Sequence, residues 1–277
     1  MTPRTEPGGV VLICHNSGFG RAMARAMQAG LGRDFAGVLA IHRPQSRLKA
    51  WTARLRFALR ASRMERRIRR IETRLAHEAE HAFDIAVDPP RGWPDGLDVH
   101  YTPDPNGSEC VDWLSARAPD LIVVTGAPLL CEAVFGLPRL GTINMHSSLL
   151  PHYRGTQAEF WQVLEGAWHT CGITVHFIDA GVDTGGILAQ VPAKVTGSVT
   201  PQMLRSRNLI QALHTVPDTA ARVLQGDVHV QPQTGGGRPR RSRDRTLELR
   251  TELLAKLGYL GPQAPRNPSN VHAGQAR

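Results

Sequence analysis

Short, wholly apolar runs alternate along this chain with stretches whose apolar residues recur every three or four positions. Residues 10–14 (Val-Val-Leu-Ile-Cys) read as a strand buried on both faces. Gly18-Phe19-Gly20 then reads as a glycine turn opening a helix over 21–30, with Ala22, Met23, Ala26 and Met27 on one face. Further strands are expected at 35–42, 83–87, 97–101 and 120–126, with another leading into Asn144-Met145-His146. Ser108 is placed to cap a helix over 109–118, and helices are expected at 157–165 and 201–224. Two β-rich segments, 172–178 and 187–195, lie between the last two helices. Strand–helix alternation of this kind predicts an α/β fold with a Rossmann-like, mostly parallel sheet.

Two stretches fall outside that rhythm. Over 46–80 one helical stripe (Leu48, Trp51, Leu55, Leu59) gives way to another (Met64, Ile68, Ile71, Leu75), with an offset near Ala61-Ser62. The offset predicts two helices or a bend. The stripes predict an amphipathic, Arg-rich insertion packed on the domain or on a second subunit, the latter making a homodimer. From 233 onward, Gly235-Gly236-Gly237 and the run from Arg238 to Arg243 predict a flexible basic tail over 233–277, with one short helix near 246–257 and a disordered end. Residues 1–232 then form the globular domain.

Composition adds little until charge is located. The 277 residues are 41% apolar and 21% charged, enough to bury a large core. No uncharged apolar run is long enough to span a membrane, and the first residues lack the apolar stretch of an export signal, so a cytoplasmic location is expected. Cys14, Cys110, Cys131 and Cys171 form no CxxC pair; they read as buried free thiols, and no metal site is expected. The formal charge is +9, but 46–80 carries a net +7 and 235–277 a net +6, so the remainder is mildly acidic. The arginines offer contacts to nucleic-acid phosphates. With an acidic body and Tyr259 the only aromatic residue of the tail, a nucleic-acid partner is disfavoured.

The chemistry concentrates in two loops. Asn144 and His146 are two apart at a strand's carboxyl end, so an amide and an imidazole project to one side, where α/β folds bind ligands. Pro151 and Arg154-Gly155 follow as a tight loop. Asp179-Ala180-Gly181-Val182-Asp183-Thr184-Gly185-Gly186 brings two carboxylates between two strands. Amide, imidazole and carboxylate from separate loops can assemble one polar site.

The segments NMHSSLLPHYRG and GITVHFIDAGVDTGGILAQ, in this order and separation, resemble the formyltransferase superfamily that uses 10-formyltetrahydrofolate. The resemblance covers about 10–226 and implies the formyltransferase fold. By motif it implies Asn144, His146 and Asp183 as catalytic residues. It places the folate donor against Gly126, Leu129 and Leu130 and against Asp179, Ala180, Gly181 and Val182. For the acceptor it points to the first glycine loop (Gly18, Gly20, Arg21) and to Arg154 and Gln157. The Ser-Asn pair with which the purine transformylase holds substrate phosphate is missing after the glycine loop, and so is the family's proline after Arg154-Gly155. The expected substrate is therefore a small-molecule amine, an amino sugar or specialised metabolite. Glycinamide ribonucleotide, methionyl-tRNA and hydrolysis of the donor follow as alternatives.

Overall fold

In the computed structural model, which describes residues 8–42 and 46–260, seven strands form one sheet. In chain order they are β1 Val10–His15, β2 Phe35–Ile41, β3 Val99–Thr102, β4 Leu121–Thr125, β5 Thr142–His146, β6 Gly172–Phe177 and β7 Ile187–Pro192. Their spatial order is β3-β2-β1-β4-β5-β6-β7, with β1 to β5 parallel and β6 and β7 added antiparallel. This is an α/β, Rossmann-like sheet of the expected class.

The uninterrupted apolar runs follow from coverage of both sheet faces. Successive side chains alternate, so Leu12, Val123 and Ile143 face helices α1 (Gly18–Leu31) and α7 (Pro201–Gln225), burying Met23, Met27, Val216 and Ala220. Val11, Ile13, Leu39 and Ile122 face the other way, onto Cys110 and Leu114 of the helix at Ser108–Arg117.

Numbering helices in chain order, α2 is Arg47–Arg60, α3 Arg63–Val87, α4 Ser108–Arg117, α5 Glu132–Phe135, α6 Ala158–Glu165 and α8 Leu247–Lys256. The break expected at Ala61-Ser62 is present, and the Ser62 hydroxyl accepts from Glu65 N to cap α3. Residues 83–87 are not a strand but the last turns of α3. Phe83 continues the buried stripe of Ile68, Leu75 and Ala79, so helical packing overrides the local β pattern. Ser108 is the first helical residue of α4 rather than its cap; Gly107 holds the capping position, without a side-chain bond.

The insertion's two stripes fare differently. That of α3 packs against α7 and α8, where Ile68 and Leu75 join Leu254 and Leu260. Met64, at the start of α3, is exposed, as are Trp51, Leu55 and Leu59, so these α2 residues are not covered by the domain.

The C-terminal stretch departs furthest from expectation. Residues 233–260 fold back instead of trailing loosely. Gly155 and Arg240 form a parallel bridge, and Leu253 enters a cluster with Phe160, Trp161 and Leu204. Several of its basic residues are paired internally. Arg240 meets Glu165 at 3.2 Å, Arg238 meets Asp244 at 3.3 Å, and Arg245 and Arg250 both bind Glu72 of α3. The disordered end expected near 261–277 lies outside the described residues. Cys14, Cys110 and Cys171 are buried free thiols, whereas Cys131, beside α5, is exposed. No described helix is long and apolar enough to cross a membrane.

Candidate active site

β5 ends at the carboxyl edge of the sheet, and its last turn of the pleat places Asn144 and His146 on one side of a cavity of about 660 Å³. Asp183 reaches the same cavity from the loop between β6 and β7. The three residues expected to act together therefore do meet. His146 Nδ1 lies 3.4 Å from Asp183 Oδ2, and its Nε2 lies 3.0 Å from the Tyr153 carbonyl. Both ring nitrogens thus face oxygen atoms. The Asp183–His146 contact is direct.

His176 is the residue that sequence reasoning passed over. The antiparallel register sets it directly opposite Asn144, and Asn144 Nδ2 lies 3.2 Å from His176 Nε2. The same Nε2 is 3.5 Å from Asp183 Oδ1, while Nδ1–H of His176 donates to the Phe177 carbonyl at 2.7 Å. A signal was present: Thr174 and His176 are polar residues two apart in an otherwise apolar strand, which marks one face as different.

Asp183 is the hub. Burial would push its carboxyl pKa up, but the His176 hydrogen bond, the His146 charge and a 2.7 Å bond from Gly155 N outweigh it and hold the group at about 2. The carboxylate is therefore ionised at any working pH. Its backbone sits at φ 53, in the left-handed region, as do Gln157, which lines the same cavity, and Tyr153, whose carbonyl meets His146. Such conformations persist where surrounding contacts enforce them. Here the enforcing contact is Gln233, whose Nε2 donates to the carbonyls of Asp183 (3.1 Å) and Gly185 (2.6 Å).

Gly126, Leu129 and Leu130 form one wall, and Asp179, Ala180, Gly181 and Val182 another, as expected for these two loops. The acceptor residues are only partly confirmed as cavity lining. Gly20 and Gln157 line the cavity, whereas Gly18 packs beside Pro89. Gly18-Phe19-Gly20 is the first turn of α1, not an open anion-binding nest. Ser17 caps it and takes the Gly20 N–H, and a Cβ at Gly20 would stand 2.2 Å from the His15 carbonyl. Arg21 is spent on the Pro90 carbonyl (2.8 Å) and the Asn16 amide. Arg154 turns to the opposite side of its loop, donating to Gln233 Oε1 at 2.9 Å, because the folded-back C-terminal stretch passes there. Glu159, beside Gln157 in the stretch where the family's proline is missing, lines the cavity too, and Arg205 joins it unforeseen. Cys14 also lines it, but burial pushes its thiol up to about 12, which removes it as a nucleophile. Among the described residues no group of His, Cys, Asp and Glu is arranged to hold a metal ion.

A parallel sheet carrying an amide, two imidazoles and a buried carboxylate at its carboxyl edge defines a group-transfer type of site without a metal-binding cluster. The formyl transferase family pattern matches residues 68–219, and the chain belongs to that family. Among curated relatives, the methionyl-tRNA formyltransferase of Chlorobium limicola is 33% identical over 138 residues, covering 50% of this chain and 43% of that protein. That of Koribacter versatilis is 37% identical over 129 residues, covering 46% and 41%. The matched segment thus spans less than half the length of these relatives. Among solved structures, a sugar N-formyltransferase from a Shewanella species superposes with TM-score 0.58 at 14% identity, covering 89% of this chain and 87% of that one. Glycinamide ribonucleotide transformylase 1 from Symbiobacterium toebii gives 0.53 at 20%, covering 83% and 96%. These likenesses establish the fold.

Proposed function

We propose that the protein transfers the formyl group of 10-formyltetrahydrofolate to the amine of a small molecule, an amino sugar or specialised metabolite. The observation that carries the reading is the direct contact of His146 and His176 with Asp183, with Asn144 completing the set at one cavity wall. The donor would supply a formyl group activated on nitrogen. The residues present suit it: Ala127, Pro128, Leu129 and Leu130 face Ile178, Ala180 and Val182 across the cavity. Leu129 is 73% exposed, an uncovered apolar side chain on which a flat ring system can rest.

Asn144, held beside His176, offers an amide hydrogen to the formyl oxygen, on which negative charge builds as a neutral amine attacks. His146 stands beside the same oxygen and, as the bond between the formyl carbon and the folate nitrogen breaks, passes the proton lost by the attacking amine to that departing nitrogen. Asp183 holds the imidazole in register. Donors of this kind are worth about 3–4 kcal/mol each in barrier height.

A small acceptor is favoured over RNA by the internal pairing of Arg238, Arg240, Arg245 and Arg250, which leaves those charges engaged rather than offered to phosphates. The test is turnover of 10-formyltetrahydrofolate with and without a panel of amines, run beside His146→Ala and Asp183→Asn. Amine-dependent turnover falling about a hundredfold or more in both variants is expected. Turnover equal with and without amine would mean hydrolysis of the donor, and unchanged turnover in both variants would sink the assignment.

A further inference from the structure

Gln157, Glu159 and Arg205 line the reaction cavity and also line a second cavity of about 390 Å³ beside it, bounded by α3, α6, α7 and α8. One side of this annex lies outside the stretch that matches the family: Arg245, Leu253 and Leu254 lie beyond residue 219. Its polar walls are incompletely satisfied. The Glu159 side chain is 4% exposed, yet its Oε1 has no hydrogen-bond partner; Arg205 Nη1, at 4.0 Å, is beyond hydrogen-bond reach. Gln202 Oε1 is buried without a partner. So is Nε of Arg245, whose other two nitrogens are committed to Gln157 and Glu72.

Buried polar atoms are nearly always paired, and three unpaired ones on the wall of a single cavity mark a place that a polar ligand completes. We propose that the annex is a subsite for the part of the acceptor remote from its amine, and that it takes a hydroxyl-rich, glycosyl-type group. The inference rests on the small-amine reading above. The chemistry of the wall narrows the class. A carboxylate oxygen and an amide oxygen need donors, while a guanidinium N–H needs an acceptor, and hydroxyls are both. An anion would be repelled by Glu159, a second cation by Arg205 and Arg245, and an alkyl tail would leave all three atoms unpaired. Leu75, Phe160 and Leu253 supply apolar surface for the C–H face of a ring.

The experiment compares kcat/KM for folate-dependent formylation of amino hexoses, with the amine at different ring positions, against that of cyclohexylamine, which has the ring without the hydroxyls. Calorimetric binding of the same amines to the full chain gives a readout independent of turnover. At least one amino hexose is expected to be preferred tenfold or more. That preference is expected to drop tenfold or more in Glu159→Gln, through KM rather than kcat. Gln202→Trp fills the annex from the α7 side and is expected to do the same, so the proposal stays testable where Glu159→Gln misfolds. A preference kept in both variants, or no preference in either kinetics or binding, overturns the annex. A binding preference that both variants abolish, with no amine formylated, would uphold the annex and refute formyl transfer.

Discussion

Gly155 shows how much one residue can carry. Its φ is 90°, its N–H donates to Asp183, and a Cβ would stand 2.2 Å from the Arg240 carbonyl. Gly155→Ala is therefore expected to lose about 2 kcal/mol or more in denaturant unfolding and to lower turnover as Asp183 shifts. Asp183 itself makes stability depend on acid. Its carboxyl is held at about 2 instead of the usual 3.8, so the ionised form stabilises the fold by about 2 kcal/mol above pH 4. That contribution disappears as pH falls through 2, so the gap in unfolding free energy between the native chain and Asp183→Asn should close over that interval. His176→Ala removes a partner from both Asn144 and Asp183; turnover about tenfold to a hundredfold lower, with a displaced acid limb in the pH–rate profile, is expected. Asn144, His146 and Asp183 were legible because motif and strand period agree on them. For His176 the spacing from Thr174 marks only a polar face, and its partners come from the antiparallel register of β5 and β6.

At the scale of elements, the strands of the parallel sheet were readable because burial on both faces writes them as unbroken apolar runs. Residues 83–87 carry a similarly apolar sequence, and only the stripe begun at Ile68 shows that they finish a helix. The C-terminal stretch was misread for the reason that its glycines and arginines look like a linker until their partners are known. Those partners, Glu72, Glu165 and Gly155, lie 75 or more positions earlier. α8 is correspondingly an integral element: Leu254, 2% exposed, seals α3. Leu254→Ala should cost about 2–5 kcal/mol in equilibrium unfolding. A change confined to the local fraying of α8, with the main transition unmoved, would mean the helix is only loosely attached.

For the whole molecule, the proposed chemistry and the proposed recognition of the acceptor draw on unequal spans of the chain. Asn144, His146, His176 and Asp183 lie inside the stretch that matches the formyl transferase family, as do Glu159, Gln202 and Arg205, while Arg245, Leu253 and Leu254 close the second cavity from beyond it. A fold shared by a sugar N-formyltransferase and a glycinamide ribonucleotide transformylase says little about the acceptor, and the cavity walls say more. Nor could the sequence have announced this division, since the annex exists only where α3, α7 and α8 converge.

The Gln233 bridge to the Asp183 loop has a consequence for biosynthesis. A nascent chain emerging from the ribosome presents Asn144, His146 and Asp183 long before residue 233 clears the exit tunnel. Until then the loop lacks the amide that fixes it. Competence thus arrives late in translation, in one step, and fragments released at residue 232 are expected to be folded in part and inactive.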